Sequence, residues 1–513
     1  MRVVLTLWMT VVVLARVVAS EAQTTGDETQ VVLTPKPSPQ PRINGARIFG
    51  VRPGHPLLFT IAATGRRPLQ FAAEGLPEGL TLDSRTGQIA GRTAKRGEHV
   101  VTLRAVNELG AAERKLRIVV GDRLALTPHM GWNSWYIWTD RVSDKIMRDA
   151  ADAMVTSGMI DHGYMYVNID GCWQVKPDAK DPSVGGPPRD AQGRINPNRR
   201  FPDMKAMTDY IHRRGFKAGI YSSPGPTDCA GHVGSYRHET EDARRFAEWG
   251  FDFLKYDWCS YGTVAGGKDL AHLRKPYERM WSELQKVDRD IVLNLCQYGM
   301  GDVWKWGASC GNSWRTAGDL GWPSDREIYK NILRDGFGLY ADRQLHKSAG
   351  PGGWNDPDYL LLGYVLGPHG QERTPLSPNE QYTYVSLWSL VAAPLIFSGD
   401  MNRLDDFTLG LLSNDEVIDV DQDPLGRPGY RVAKQGSGEV WVRELEDGSK
   451  AVGLFNHADA EATVAANWMD LGVRGKQTAR DLWRQKDLGQ FEGRFSATVP
   501  RHAVVLVRLT PAP

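Results

Sequence analysis

The sequence predicts a multidomain protein: a (β/α)8 TIM barrel flanked by an N-terminal immunoglobulin-like β-sandwich and a C-terminal antiparallel β-sandwich. Three observations predict this fold class. In the middle of the chain, helical patterns that end in glycine are followed by apolar strands, which is typical of parallel strands joined by crossover helices. Short strands with tight turns fill the segments on either side. Polar side chains recur where the central strands end.

The first 22 residues are organised like a secretory signal peptide. Arg2 supplies a positive charge, residues 3–15 form an apolar run, and the small residues Ala19 and Ala22 follow. Because the run is too short to cross a bilayer, we expect cleavage near Ala22 and export to the periplasm or beyond the cell. An uncleaved signal anchor is the alternative, since Arg16 interrupts the pattern.

Composition narrows the partners that the rest of the chain can have. The 513 residues carry a net charge of +1, so nothing favours nucleic acid or an anionic membrane as a partner. Residues 23–42 are polar and rich in proline, which is typical of a linker. No later segment is long and apolar enough to predict a membrane span.

Residues 43–121 are predicted to form the N-terminal β-sandwich. Runs such as HPLLFTIAAT and HVVTLRAVN indicate short strands, and turn signals lie at 83–87 and 107–110. The stretch GLPEGLTLDSRTGQIAG resembles the immunoglobulin-like modules found beside many secreted bacterial enzymes. The segment carries no catalytic constellation, so a spacer and a binding module both remain open.

Residues 122–428 are predicted to form the barrel. SDKIMRDAADAMVTSG precedes YMYVNID, DMKAMTDYIHRRG precedes FKAGIYSS, and TEDARRFAEWG precedes FDFLKYD, so each helical pattern stops at a glycine before a strand. Further strands bring the total to about eight, the number in a (β/α)8 barrel. A doubly wound open sheet is the alternative, but no good glycine-rich phosphate loop supports it.

From residue 429 to residue 513 the pattern changes to antiparallel strands. EVWVRELEDGSKAVGLFN predicts a hairpin that turns at 446–448, and RFSATVPRHAVVLVRL predicts two further strands. We therefore expect a second β-sandwich after the barrel.

Polar residues stand at the ends of seven predicted barrel strands, where barrel enzymes carry their catalytic groups. In chain order they are Trp132, Asn133, Asp170, Tyr221, Lys255, Asp257, Gln297, Arg315, Asp319, Asp356 and Asp358. Carboxylates on four of these ends would repel one another unless a substrate, a cation or a proton offset their charge. Capping alone does not explain so many, so the pattern predicts a functional site.

Two carboxylates that face one pocket suggest glycoside hydrolysis, in which one attacks the anomeric carbon and the other protonates the departing oxygen. A metal site is the competing explanation for several aspartates, but the possible ligand sets are not dense and histidine is sparse at the strand ends. No G-x-S-x-G elbow indicates a serine hydrolase. We expect neither a metal nor another cofactor.

Six motifs make a specific resemblance. MGWNSW, NIDGCW, the stretch from GIYSSPGPTDCAG to FLKYDWC, NSWRTAGD, GGWNDPD and QDPLG follow one another within residues 124–430 and resemble glycoside hydrolase family 27. That family contains retaining α-galactosidases and α-N-acetylgalactosaminidases, built as a barrel followed by an antiparallel β domain. The resemblance therefore implies a glycosidase that acts on a terminal α-linked sugar.

The resemblance implies that Asp257 is the nucleophile and Asp319 the acid/base, with retention of configuration and carboxyl groups about 5–5.5 Å apart. Lys255 lies two residues before Asp257, so both side chains leave the same face of the strand. A nearby ammonium group would help to keep the Asp257 carboxylate ionised.

The resemblance also implies the substrate contacts. Trp132 would wall the sugar, and Asp170 would bind a hydroxyl near O4 or O6. Tyr221 and Lys255 would line the pocket, and Arg315 would contact O2 or its neighbour. Gln297 and Asp356 complete the predicted substrate-binding set.

Two positions bear on which sugar is bound. Gly171 stands where many relatives carry a second aspartate, so β-L-arabinopyranose or a sugar substituted at C6 is an alternative to galactose. On the O2 side, the bulky residues Gln297, Tyr298 and Met300 leave little room for an acetamide. We therefore prefer a galactose-like sugar to N-acetylgalactosamine.

The resemblance also sorts the five cysteines. Cys229 and Cys259 match a family disulfide, and Cys296 and Cys310 could close a short loop as in some relatives. Cys172 lacks the partner that relatives supply and is predicted to be a free, buried thiol.

The sequence thus predicts a secreted or periplasmic retaining exo-glycosidase that releases terminal α-linked galactose from an oligo- or polysaccharide. β-L-Arabinopyranosidase and α-N-acetylgalactosaminidase activities are alternatives within the family. A non-catalytic secreted sugar-binding protein is the alternative from another class.

Overall fold

The computed structural model describes residues 30–321 and 327–512, which form the three predicted domains. The predicted signal peptide, residues 1–22, lies outside the described residues, as does the beginning of the predicted linker. Within the described ranges, no helix combines the length and the apolar character that crossing a membrane requires.

The N-terminal domain is a β-sandwich, as predicted. A four-stranded and a three-stranded sheet enclose an apolar core that includes Phe71, Val101 and Ile118. The predicted turn at 83–87 is present, and Asp83 Oδ1 accepts hydrogen bonds from the N–H groups of Arg85 and Thr86 within it. The strands are Arg42–Ile43, Ile48–Val51, Pro56–Thr60, Ala63–Thr64, Gln70–Glu74, Leu80–Leu82, Gln88–Arg92, Gly97–Asn107 and Gly110–Val120.

The central domain is the predicted (β/α)8 barrel. Eight parallel strands follow one another around the sheet, and the eighth lies beside the first. The ring closes where the Leu360 N–H donates to the Ile396 carbonyl at 2.7 Å and Leu360 bridges to Phe397. The barrel strands are Met130–Asn133, Tyr166–Asn168, Lys217–Ser222, Phe253–Asp257, Val292–Cys296, Ser313–Arg315, Trp354–Asp356 and Leu395–Phe397.

Helices cover the outside of the barrel. Each of the predicted helix–glycine–strand units is present; Gly215 and Gly250, for example, follow their helices with φ of +90° and +92°, a backbone region that favours glycine. The helices are Trp135–Trp138, Asp144–Thr156, Met204–Arg213, Glu239–Trp249, Leu270–Leu284, Ile328–Asn331, Tyr340–Asp342, Pro378–Leu390, Asp406–Leu412 and Asp415–Asp421, with a π-helical segment at Ile332–Leu339. A short hairpin, Tyr364–Gly367 with Gly370–Arg373, follows the seventh barrel strand.

The C-terminal domain is antiparallel, as predicted, with a six-stranded and a two-stranded sheet. The predicted hairpin pairs Glu444 with Lys450 around its turn. Trp441, Phe455 and Trp483 join the apolar core of the barrel, so the two domains share one continuous core. The elements are the strands Tyr430–Gln435, Gly438–Glu444, Lys450–Asn456, Ala462–Asn467, Lys476–Asp481, Lys486–Glu492, Arg494–Val499 and Val504–Pro511 and the helix Trp468–Leu471.

The N-terminal domain packs beneath the barrel, against the amino-terminal ends of its strands. The Lys217 ammonium, at the start of the third strand, lies 5.1 Å from the ring centre of Phe49. Arg52 reaches Asp290, just before the fifth strand, through its side-chain Nε at 2.6 Å and its backbone N–H at 2.9 Å. The carboxyl-terminal ends of the strands, on the opposite side, are left open by this domain.

The Arg52–Asp290 pair predicts how firmly the two domains are held. Replacing Asp290 by alanine removes the carboxylate that neutralises the largely buried Arg52 guanidinium and leaves its charge to carbonyl acceptors, which should lower the free energy of unfolding by about 3–5 kcal/mol. Asp288→Ala is the matched control, because Asp288 pairs with Arg92 across the same interface but both side chains are exposed. It should leave the stability almost unchanged. Equal losses in denaturant melts of the two variants would contradict this assignment.

Candidate active site

A cavity of about 420 Å³ opens at the carboxyl-terminal ends of the barrel strands. Among the residues that the structure describes, it is lined by Trp135, Tyr136, Asp170, Tyr221, Cys229, Ala230, Lys255, Asp257, Tyr298, Arg315, Asp319 and Asp358. Seven of the eleven polar residues singled out at strand ends are therefore brought together here. A parallel barrel explains this, because all its strands end at the same edge.

Asp257 ends the fourth strand and is almost fully buried beside the cavity. Its Oδ1 accepts a hydrogen bond from the Tyr298 hydroxyl at 2.7 Å, and its Oδ2 accepts one from the Tyr221 hydroxyl at 3.2 Å. Burial raises the pKa of Asp257 to about 6, although the Lys255 charge and the Tyr298 hydrogen bond oppose the rise. The carboxyl group is therefore ionised at neutral pH and takes up a proton under mildly acidic conditions.

The floor of the cavity is an ion pair between the second and fourth strands. Lys255 Nζ donates to Asp170 Oδ2 at 3.0 Å, and the Asn133 amide donates to the same oxygen at 2.9 Å. Burial lowers the pKa of Lys255, but the charge of Asp170 and those of other neighbouring acidic groups together outweigh it, and the pKa lies well above its usual value. Lys255 therefore stays charged, and its charge on the cavity floor lowers the pKa of Asp257.

The mouth of the cavity carries a second group of charges, centred on the buried Arg315. Its Nη1 lies 3.2 Å from Asp358 Oδ1, and its Nη2 donates to Asp319 Oδ1 at 3.1 Å. The Asp319 side chain is 41% exposed, whereas Asp358 is buried. Asp319 is thus the carboxyl group of the cavity that is most open to solvent and to an incoming leaving group.

Asp358 belongs to the cavity, and sequence reasoning left it out of the predicted binding set in favour of Asp356. Asp356 is buried behind the wall, where it accepts hydrogen bonds from the Asn294 amide at 2.8 Å and from the Asp358 N–H at 3.0 Å. The φ of +106° at Asp358 breaks the alternation of the seventh strand. The D-P-D spacing shows two candidate carboxylates but not which one the irregular backbone turns inward.

Trp132 and Gln297 also do not line the cavity, although both were predicted to contact the sugar. The Trp132 indole is buried and donates to the Gly399 carbonyl at 2.8 Å. Gln297 is buried beneath the wall. Trp135 and Tyr298 line the cavity instead. They lie in the segments that follow the first and the fifth barrel strands, and it is these segments that reach the cavity.

The cysteines confirm one predicted disulfide and correct the other. Cys229 and Cys259 are joined, and Cys172 is free and buried as predicted. The predicted Cys296–Cys310 disulfide is wrong, since both residues are free. The two thiols face different surroundings: Cys296 Sγ lies 3.8 Å from Arg315 Nη1 near the cavity, whereas the charges nearest Cys310 belong to the outer helix Leu270–Leu284.

Two groups of described side chains have donor atoms close enough to hold a metal ion. One contains Cys229 and Cys259, whose sulfurs are joined in the disulfide and are not thiolates. The other is Cys172, Asp228 and His232, in which burial raises the pKa of the Cys172 thiol well above its usual value, so that this sulfur stays protonated. Neither group suits a metal well in this state.

A barrel whose strand ends gather a buried carboxyl group, an exposed one and two buried cations into one sugar-sized cavity is a glycoside hydrolase. A family model described as Alpha galactosidase A matches residues 127–423, and a model of the alpha-galactosidase C-terminal beta sandwich domain matches residues 435–509. An Ig domain model matches residues 17–121. The chain belongs to the alpha-galactosidase A family, glycoside hydrolase family 27, as its motifs indicated.

Relatives agree over most of the chain. An alpha-galactosidase of Cyamopsis tetragonoloba is 36% identical over 427 residues, covering 82% of this chain and 92% of the relative. A Bacteroides fragilis crystal structure is 34% identical with a TM-score of 0.84, covering 93% of this chain and 100% of that one. A β-L-arabinopyranosidase of Geobacillus stearothermophilus is 26% identical with a TM-score of 0.64, covering 76% and 97%.

The cysteine assignment predicts a count of reactive thiols. Alkylation of the denatured but unreduced protein should add three labels, at Cys172, Cys296 and Cys310, and prior reduction should raise the number to five. Mass spectrometry of the intact protein and its peptides reads both numbers. A single label before reduction would indicate that Cys296 and Cys310 form a disulfide after all.

Proposed function

We propose that this protein is a retaining exo-α-galactosidase, in which Asp257 is the nucleophile and Asp319 the acid/base. One observation carries the proposal: two carboxyl groups in contrasting surroundings line one cavity, Asp257 buried on the strand and Asp319 open at the mouth. Glycoside hydrolysis needs this pair, because one group must bond to the anomeric carbon while the other exchanges protons with the departing oxygen and then with water.

The reaction then takes two steps. Asp257 Oδ attacks the anomeric carbon while Asp319 gives its proton to the glycosidic oxygen, so the carbon–oxygen bond breaks and the alcohol leaves. A water molecule next gives a proton to the Asp319 carboxylate and attacks the same carbon, releasing Asp257 as a carboxylate. Each step inverts the anomeric centre, and the α configuration is retained.

Hydrogen bonds prepare Asp257 for attack. The hydroxyl groups of Tyr298 and Tyr221 each donate a hydrogen bond to one oxygen of Asp257. These bonds favour the ionised form and fix the orientation of the carboxylate. Two donors at these distances leave the carboxyl group little freedom to rotate. A fixed nucleophile needs less reorganisation when the sugar arrives.

The cavity surface supports a galactose-like sugar. Asp170, Tyr221, Lys255 and Arg315 supply donors and acceptors for ring hydroxyls, with Trp135 as an aromatic wall. We place Trp132, Gln297 and Asp356 behind this surface, where the hydrogen bonds of Trp132 and Asp356 hold the strand ends in position. Alpha-galactosidases among the relatives support the same assignment.

The space beside the nucleophile argues against N-acetylgalactosamine. The Tyr298 side chain lines the cavity and its hydroxyl lies on Asp257, next to the carbon that the carboxylate attacks. C2 adjoins that carbon, so an acetamide on C2 would compete with the tyrosine ring for space. A free 2-hydroxyl fits beside it.

β-L-Arabinopyranosidase activity is the second candidate. Gly171 follows the floor residue Asp170 without a side chain of its own, and the Geobacillus stearothermophilus relative acts on that sugar. Export from the cytoplasm is also part of the proposal, and the Cys229–Cys259 disulfide supports it because disulfides persist in oxidising compartments.

Asp257→Asn tests the catalytic assignment. The amide cannot act as the nucleophile, so kcat on p-nitrophenyl α-D-galactopyranoside should fall at least about 1000-fold. The β-L-arabinopyranoside and the α-N-acetylgalactosaminide should be slower substrates of the natural enzyme, and NMR of the fresh product should show the α anomer. Asp209→Asn, on an outer helix, is the control and should keep full activity.

The results separate the alternatives. An unchanged rate in Asp257→Asn would remove this residue from the chemistry. Galactose binding without turnover in the natural protein would support a sugar-binding protein instead. Fastest cleavage of the arabinopyranoside or the N-acetylgalactosaminide would select one of the other family activities.

Tyr298→Phe tests the state of the nucleophile. Activity should be lost as the pH falls through about 6, because Asp257 must be ionised to attack. The Tyr298 hydroxyl lowers the pKa of Asp257, so its removal should move the acidic limb of the kcat/KM profile to higher pH. In the control Tyr277→Phe, the lost hydroxyl faced the Cys296 carbonyl, and the limb should stay in place. A limb that moves to lower pH would contradict the assignment.

A further inference from the structure

Asp228, on the loop after the third barrel strand, lies next to the position that a side chain on residue 171 would occupy. A Cβ on Gly171 would lie 3.2 Å from Asp228 Oδ2 and 3.4 Å from the ring of Tyr221. The bare backbone of Gly171 therefore lets a carboxylate from another strand end approach the floor of the cavity. A larger residue at position 171 would crowd this oxygen.

The two oxygens of Asp228 have different surroundings. Oδ1 holds the loop in place by accepting the N–H groups of Ala230 at 2.9 Å and His232 at 2.8 Å, together with the His232 ring at 3.3 Å. From the described part of the chain, Oδ2 receives one long hydrogen bond, from the Cys172 N–H at 3.4 Å. The carboxylate is thus fixed through one oxygen, and the other keeps acceptor capacity on the side of Gly171 and Tyr221.

The position of Asp228 relative to the catalytic pair defines which part of a sugar it meets. Asp257 and Asp319 act at the anomeric carbon, and Asp319 is open to solvent at the mouth. The opposite edge of the ring, with its C4 and C5 substituents, must therefore point to the floor around Asp170. Asp228 itself is buried behind the cavity surface, and Tyr221, Cys229 and Ala230, which adjoin it in space or in sequence, line the cavity.

We propose that Asp228 Oδ2 accepts a hydrogen bond from the 6-hydroxyl of the bound sugar and so selects a hexose over a pentose. The inference rests on the proposed glycosidase function. The hydroxymethyl group on C5 is the only ring substituent of galactose that extends two heavy atoms, so it can reach across Gly171. A hydrogen bond from the 6-hydroxyl to a carboxylate stabilises the bound sugar strongly. The carboxylate is left without this partner when the substrate has no 6-hydroxyl.

The test compares two substrates that differ only at C6. The β-L-arabinopyranoside is the α-D-galactopyranoside without its hydroxymethyl group, so kcat/KM for both p-nitrophenyl glycosides isolates the contact. Asp228→Asn keeps an oxygen for the loop N–H groups and loses the charge. It should lower kcat/KM for the galactoside roughly 10- to 100-fold and change the arabinopyranoside by less than about threefold.

A matched control exists elsewhere in the chain. Asp190 Oδ1 accepts the N–H groups of Gln192 at 2.9 Å and Arg194 at 3.0 Å, which repeats the spacing that Asp228 uses to hold its own loop. Its second oxygen is already engaged, because Asp190 Oδ2 accepts from Arg194 Nε at 2.7 Å, whereas among the described residues Asp228 Oδ2 has only the long bond from the Cys172 N–H. Asp190→Asn should leave the ratio of the two kcat/KM values unchanged.

Gly171→Ala provides a second variant that does not disturb the anchoring of the loop. The new methyl group would lie 3.2 Å from Oδ2 and crowd its approach to the 6-hydroxyl, so the galactoside should again lose more than the arabinopyranoside. This variant keeps the proposal testable if Asp228→Asn does not fold, as judged by circular dichroism.

Each outcome decides one question. Equal losses on both substrates in both variants would make Asp228 a support of the loop only and would overturn the inference, as would an unchanged galactoside rate. A natural enzyme that prefers the arabinopyranoside would also overturn the selection for a hexose. A natural enzyme that cleaves neither glycoside would instead contradict the proposed function, and the two failures are therefore distinguishable.

Discussion

The balance of buried charge at the barrel's open end is the constraint on which the rest of the site depends. Three buried carboxyl groups, Asp170, Asp257 and Asp358, and two buried cations, Lys255 and Arg315, meet there. Lys255 is paired with Asp170 and Arg315 with Asp358, so among these three carboxyl groups Asp257 is the one without a cation of its own in the described part of the chain. Because the charge of Lys255 and the Tyr298 hydrogen bond only partly offset its burial, the pKa of Asp257 rises. Its two tyrosine donors supply the remaining support for the ionised form.

Much of this arrangement could be predicted because barrel topology converts sequence order into a place in space. Lys255 and Asp257 on one strand, and Asp170 and Arg315 on others, had to meet at a common edge once the helix–glycine–strand units were recognised. The expected alternation of inward-facing and outward-facing side chains along a strand gave the wrong residue where the backbone was irregular. The positive φ of Asp358 turned that side chain inward in place of Asp356, and no pattern of residue types announces such a bend.

The sequence also did not predict which residues line the cavity from the segments that follow the strands. Trp135 and Tyr298 form the cavity surface from segments that follow the strands, so the residues nearest in sequence, Trp132 and Gln297, were chosen instead. The erroneous Cys296–Cys310 pairing has a related cause. Some relatives of the family close a short loop at this place, which suggested the disulfide, whereas the structure places one thiol beside Arg315 and the other near the outer helix. Which side of a wall a side chain faces depends on the whole barrel.

The helix Pro378–Leu390 carries a consequence for how the molecule could have evolved. Its residues from Gln381 to Leu390 are all buried, between the barrel on one side and the C-terminal sheets on the other. A helix without a solvent face cannot be left behind when a neighbouring domain is lost, because its apolar side would face water. Barrel and C-terminal domain are therefore inherited as one unit, whereas the N-terminal sandwich, with a core of its own, could be gained or lost as a separate piece.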